Sequence, residues 1–234
     1  MSEEMKDMKL NIPANSRVLV VLPHPDDESF SLSGTLAKHI QGGGEVTYAC
    51  LTLGQMGRNM GTPPFTNRVE LPNIRRDELQ KSVEAIGIQD LRMMGFHDKT
   101  IEFEDRTVLD GSILDLIHEV KPAAVFTFYP GYSVHPDHDA TGAAVVRAMS
   151  RLPEAERPPL YTMAFSRNCT DEIGFPDVEN DVSDFVQTKL NSIHAHRSQF
   201  PSPGELGKSK KMDRELRERF SRERFWTYTN YPNA

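Results

Sequence analysis

Cysteine is nearly absent from this sequence: Cys50 and Cys169 are the only two among 234 residues. That scarcity excludes a disulfide scaffold and a zinc module built on cysteine. It fits a reducing compartment, so a cytoplasmic location is expected. A basic excess is missing as well. The chain has 27 Lys+Arg against 34 Asp+Glu, a formal net charge of -7, whereas a nucleic-acid binder carries the opposite balance. No run approaches the ~18 apolar residues that a membrane span needs. The opening MSEEMKDMKL has no apolar segment of the kind a secretory signal carries. Internal repeats and low-complexity tracts are lacking too. With 38% hydrophobic residues, the chain is long enough to bury a substantial core and is not a disordered one. The expected partner is a small molecule, not nucleic acid and not a membrane.

Strand-like and helix-like segments alternate. RVLVVL at Arg17 to Leu22, EVTYACLTL at Glu45 to Leu53, a short run at Leu91 to Gly95, AAVFTFY at Ala123 to Tyr129 and Leu160 to Phe165 read as strands. Ser29 to Ile40, Asn73 to Ile86, Leu109 to Val120, Asp137 to Ser150 and Asp181 to His196 read as helices. This order predicts an α/β, Rossmann-like, doubly wound and mostly parallel sheet with helices on both faces. One domain is expected over residues 1–234, with a core at about 17–200 and an appendage at 201–234. The tail from Gly207 to Arg224 reads as a solvated helix face. Gly54 to Pro72 reads as a long glycine- and proline-rich loop, either a functional rim or plain surface.

Two short loops carry the chemistry. Pro23-His24-Pro25-Asp26-Asp27-Glu28 follows the first strand, and His135-Pro136-Asp137-His138-Asp139 follows the strong fourth one. Ligands bind beyond the carboxyl ends of strands in doubly wound sheets. If the strand order is 3-2-1-4-5, the two loops face each other across the switch-point crevice. Two imidazoles and one carboxylate would make a three-ligand site, the pattern of catalytic zinc, and such donors also suit iron or manganese. The acids and histidine left over are then candidates for proton transfer and oxyanion stabilisation. The plainer alternative is that Asp26, Asp27 and Glu28 cap a helix, and that Asp137 merely starts one.

At these residues the sequence resembles the LmbE-like, or PIG-L-type, zinc deacetylases, which have a Rossmann-like fold and remove acetyl groups from N-acetylglucosamine conjugates. The marks are PHPDDE at Pro23 to Glu28 and HPDH at His135 to His138, supported by Arg75-x-x-Glu78 and by AHRSQ at Ala195 to Gln199. The resemblance runs from Arg17 to about Phe200 and implies His24, Asp27 and His138 as ligands of a zinc ion. It implies Asp26 as general base and His135 as oxyanion stabiliser and acid. It further implies Asp137 as the carboxylate that orients and charges His135, and Arg75 as a contact to the sugar. LTLGQMGRNMGTP and SVHPDHDATG are most similar to the bacillithiol-pathway branch of the family, which implies an N-acetylglucosaminyl-malate substrate. Family members form trimers or hexamers in some cases and stay monomers in others, so a homo-oligomer stays open. Some members place a tyrosine two residues before HPDH. This chain has Ser133 there, with Tyr132 beside it.

The other candidates are weaker. Gly42-Gly43-Gly44 follows a helix and precedes a strand, the wrong order for a dinucleotide fingerprint. His39 and His118 read as ordinary helix or surface residues. His97, after the third strand, could approach the crevice. His196, within AHRSQ, is a candidate for the site rim. Arg58 could meet a substrate carboxylate or simply be solvated. Cys50 reads as buried and inert, and Cys169 as a loop residue. Two rivals stand beside the bacillithiol reading: a deacetylase for another N-acetylglucosaminyl conjugate, and a metal-binding module without catalysis.

Overall fold

The computed structural model describes residues 10–200, 215 and 217–232. Its centre is β1 (Arg17–Leu22), whose residues after Arg17 are all buried. A strand covered on both faces reads as one continuous apolar run, which is why RVLVVL has no alternation. It pairs in parallel with β2 (Glu45–Cys50) on one side and β4 (Ala124–Phe128) on the other. β3 (Asp90–Met93) pairs with β2, and β5 (Leu160–Met163) with β4, both parallel. The order 3-2-1-4-5 therefore holds.

Two further strands extend the sheet to seven. β7 (Arg222–Thr227) runs antiparallel to both β5 and β6 (Val178–Asp181), giving the full order β3-β2-β1-β4-β5-β7-β6. This corrects the reading of the C-terminal segment as an appendage and of Arg224 as part of a solvated helix face. Residues 215 and 217–220 are helical and mostly exposed, as expected, while 207–214 and 216 lie outside the described residues. Within β7, Glu223, Phe225 and Trp226 are buried while Arg222 and Arg224 face solvent. Charged residues thus mask an alternating strand. Buried Glu223 accepts from the backbone of Gly34 (3.0 Å) and Thr35 (2.7 Å), and pairs with buried Lys189.

Helices cover both faces, as expected. The expected helix from Ser29 to Ile40 is two: α1 (Asp27–Ser31) and α2 (Ser33–Gln41), broken at Leu32 with φ -150°. α2 and α3 (Leu71–Ile86) pack Leu36, Leu79 and Val83 against Val18, Val20 and Leu22. α4 (Arg106–Val120) and α5 (Pro136–Ser150) pack Ile113, Leu116 and Val145 against Leu19 and Val21. Each such side chain contributes about 1.5–3 kcal/mol when fully buried. α6 (Cys169–Ile173) is one turn, so Cys169 opens a short helix and is buried there. The expected helix from Asp181 shortens to α7 (Val186–Ala195), because Asp181 ends β6. Among the described residues no helix is long and apolar enough to cross a membrane.

Candidate metal and catalytic site

β1 and β4 end side by side, and the two motif loops leave their carboxyl ends into one cavity of about 450 Å³. The β1 exit is fixed by Thr52, which donates to the carbonyl of Pro23 from its backbone N–H (2.9 Å) and its hydroxyl (2.8 Å). The β4 exit is fixed by α5, which approaches closely at Gly142. A Cβ there would lie 2.3 Å from the carbonyl oxygen of Phe128.

Three polar side chains converge where the loops meet. His24 Nδ1 lies 3.2 Å from His138 Nε2 and 3.4 Å from Asp27 Oδ2, and His138 Nε2 lies 3.2 Å from Asp27 Oδ1. Ligands about 2.0–2.1 Å from a tetrahedral ion sit roughly 3.3–3.4 Å from one another. The triangle therefore fits a metal ion. A second acidic group, Asp98 with Asp137, faces the other nitrogen of the His24 ring, at 3.2 and 3.0 Å from Nε2. These carboxylates are already engaged: Asp137 accepts from the backbone N–H of Lys99 (2.6 Å) and Ile101 (3.3 Å), and Asp98 from that of Met56 (2.7 Å). They hold the proton on Nε2 and leave Nδ1 as the ligating atom, the supporting role such carboxylates take behind a metal-bound histidine. The ring of His138 stacks on Phe128, with centroids 4.0 Å apart and planes 4° from parallel.

Asp26 and Asp27 are neighbours with opposite electrostatics. Burial pushes the Asp26 carboxyl up to about 6, and Arg75, 3.0 Å away, only partly offsets this. Burial acts on Asp27 in the same direction, but the two imidazoles beside it overcome that and hold it far below the usual carboxylate range. Asp26 adopts φ +102°, a left-handed conformation that costs a non-glycine residue of order 1–3 kcal/mol. Its side chain makes no helix-capping hydrogen bond. Asp26 is therefore not explained as a helix cap, while Asp27 and Glu28 do occupy the first turn of α1, as the plainer reading expects.

Other expected residues sit differently than the resemblance implies. The carboxylate of Asp137 grips His24 instead of His135. Its backbone N–H donates to His135 Nδ1 (3.2 Å), which places the proton of a neutral His135 ring on Nε2. Burial lowers the pKa of His135, and the nearby His24 and His138 rings lower it further. Arg75 is buried and turned inward: Nη2 donates to the Pro25 carbonyl and to Asp26, and Nη1 to the Gly54 carbonyl (3.1 Å). Gly54, at φ +60°, has room for no side chain, since a Cβ would fall 1.9 Å from that guanidinium. His196 is no rim residue. It is fully buried, with Nε2 2.8 Å from Glu28 Oε1. Arg58 is exposed at the cavity wall. His97 is exposed and bonds the carbonyl of Asp98. Ser133 donates its hydroxyl to the Tyr129 carbonyl (2.7 Å), and Tyr132 packs on the Tyr129 ring. His39 pairs with the carbonyl of Ser16, at a helix end as expected.

Sequence reasoning misses Asp98 and Lys99, and reads Glu28 only as one of the motif-loop acids or a helix cap. Asp98 and Lys99 follow β3, so their position beyond a strand's carboxyl end was the available signal. Glu28 accepts from the Asp26 backbone N–H (3.1 Å), Tyr48 (3.2 Å), Ser29 (2.9 Å) and Ser82 (2.5 Å) as well as facing His196. It holds the strained Asp26 backbone from behind.

Residues 19–149 match the PIG-L family, described as GlcNAc-PI de-N-acetylase. The chain belongs to this family. Its members are metal-dependent, in keeping with the donor triangle. A Bacillus cereus protein named probable N-acetyl-alpha-D-glucosaminyl L-malate deacetylase 2 is 49% identical, over 90% of this chain and 97% of its own. A Bacillus subtilis protein of the same name is 44% identical, over 90% and 96%. Among solved structures, N,N'-diacetylchitobiose deacetylase from Pyrococcus horikoshii superposes with a TM-score of 0.69 at 26% identity, over 91% of this chain and 84% of that one.

Proposed function

We propose that this PIG-L family chain is a zinc-dependent hydrolase that removes the acetyl group from an N-acetylglucosamine conjugate. Its assigned substrate is N-acetylglucosaminyl L-malate, after the two Bacillus relatives. The observation that carries the reading is the triangle of His24, Asp27 and His138 with an unligated, proton-accepting Asp26 beside it.

When bound, the ion polarises the acetamide carbonyl and acidifies the attacking water. Asp26 takes a proton from that water as its oxygen bonds to the carbonyl carbon. A carboxylate with a pKa near 6 accepts a proton at neutral pH and can return it. His135, with its proton on Nε2, donates a hydrogen bond to the developing oxyanion without first being charged. Collapse then breaks the C–N bond. The proton taken up by Asp26 is returned to the sugar nitrogen, and acetate and the free amine leave.

Acetate release tests this reading, measured on N-acetylglucosaminyl malate and on free N-acetylglucosamine, with and without a chelator. The malate conjugate should turn over faster, and chelation should abolish turnover. Preference for the free sugar would sink the substrate assignment. A bound ion with no acetate from either compound would favour the non-catalytic rival.

A further inference from the structure

Three cationic side chains line the cavity, and they are not equivalent. Arg75 is buried and committed to Asp26 and to two backbone carbonyls. Arg58 and Lys99 are exposed, and neither side chain has a polar partner among the described residues. Yet both are carried on backbone that is firmly held. The loop bearing Arg58 is tied by Arg68, which donates to the carbonyls of Gln55 (3.1 Å) and Gly57 (2.6 Å). It is tied again by Met56 N–H on Asp98 and by Asn59 and Gln199, which exchange bonds of 2.8 and 3.1 Å. Lys99 is held at φ +66° with its N–H on Asp137. Held backbone with unengaged cationic tips is a presentation, not a loose surface.

The same cavity also holds carboxylates: Asp26 and Asp98 line it beside the metal triangle. Those carboxylates and Asp27 already face Arg75, His24 or His138, whereas the Arg58 and Lys99 side chains are unpaired among the described residues, so an anionic group on the substrate is drawn to Arg58 and Lys99. We propose that Arg58 and Lys99 form a subsite for a carboxylate-bearing aglycone, setting the conjugate with its acetamide toward Asp26 and its acid outward. The proposal rests on the deacetylase reading and deepens it, because it assigns the residues that prefer a charged conjugate over a neutral one. Arg58 offers a planar fork that can bind a carboxylate through two hydrogen bonds; Lys99 offers a point charge.

The test compares N-acetylglucosaminyl malate with its dimethyl ester, which keeps the shape and removes both charges. Wild-type protein should favour the diacid in kcat/KM, mainly through KM, and the preference should shrink as ionic strength rises. In Arg58→Ala the diacid-to-diester ratio should fall about tenfold, in Lys99→Met by about threefold, and in Arg58→Glu it should invert. Both positions are exposed, so thermal unfolding midpoints should stay near wild type and report intact folding. Variants that keep the wild-type ratio overturn the subsite. Wild-type protein that hydrolyses diacid and diester equally also overturns it, while leaving the deacetylase reading standing. Absence of acetate release from either compound overturns both.

Discussion

The loop after β1 and the loop after β4 meet at one cavity but are braced in opposite ways. Behind the first lies a buried polar cluster, with Glu28 at its centre and Ser29, Ser82, Tyr48 and His196 around it. Behind the second lies an aromatic face, Phe128, against which His138 lies flat. In the proposed reaction the first loop holds a strained residue, Asp26, that gains and loses a proton. Directional hydrogen bonds suit that task because they fix a backbone angle. In the same proposal the second loop keeps the His138 imidazole plane in register with an ion, and a stacked ring fixes a plane without offering it a competing proton. Polar bracing and apolar bracing thus divide according to what each loop has to hold still.

The comparison breaks most visibly at Asp26. Asp26→Asn should lower turnover by about 10²–10⁴-fold, the usual contribution of a general base, while metal content measured by mass spectrometry stays at wild-type level. Loss of metal in that variant would make Asp26 a ligand and dissolve the division of labour. The same residue sets a pH limb. Asp26 must be ionised to act, so kcat/KM should fall as pH drops through its pKa of about 6. A nearby cation favours the carboxylate, so the limb of the metal-loaded protein should lie at or below that value and not above it.

Glu28→Ala tests the polar brace itself. It removes the partner of fully buried His196 and the acceptor for three hydroxyls. Breaking one side of a buried charged pair costs about 3–5 kcal/mol, which should appear as a lower urea midpoint. A near-wild-type midpoint would show that the cluster braces nothing.

Asp137→Ala sharpens the comparison by asking which histidine this carboxylate serves. If it supports His24, metal affinity should fall about 10–100-fold in competition with a chelator. Unchanged affinity with depressed turnover would return Asp137 to His135. The smallest effect is expected from Phe128→Leu. Loss of the stacked face removes about 0.5–1.5 kcal/mol of ring interaction and should weaken metal binding several-fold, leaving the midpoint of the pH limb in place.

Much of this was readable in the chain, and the rest hid for identifiable reasons. β1 and β4 announce themselves as nearly continuous apolar runs, broken in β4 only by Thr127, because both of their faces are covered. The two histidine-aspartate loops stand out because their residue types have no structural need to cluster there. β7 was hidden because Arg222 and Arg224 are exposed and Glu223 is buried only through partners that lie far away in sequence, at Gly34, Thr35 and Lys189. The break at Leu32 has neither glycine nor proline to signal it. Glu28 and His196 are 168 positions apart, and nothing local in either segment reports that they touch. Arg75 was legible as important and illegible in direction: the family resemblance implies a sugar contact, and the hydrogen bonds to Pro25, Asp26 and Gly54 show where the guanidinium goes.

The placement of β7 also orders events in time. Synthesis proceeds from the N-terminus, and domains fold as their segments emerge. The metal triangle and Asp26 lie on elements complete by residue 150, the end of α5. β5 follows them soon after, but the strand that covers its free edge arrives only with residues 222–227. Until then β5 presents an unpaired strand edge, the feature most apt to recruit a neighbouring chain. The exposed edge of this sheet is therefore sealed last, by the end of the chain, after every motif residue has been made.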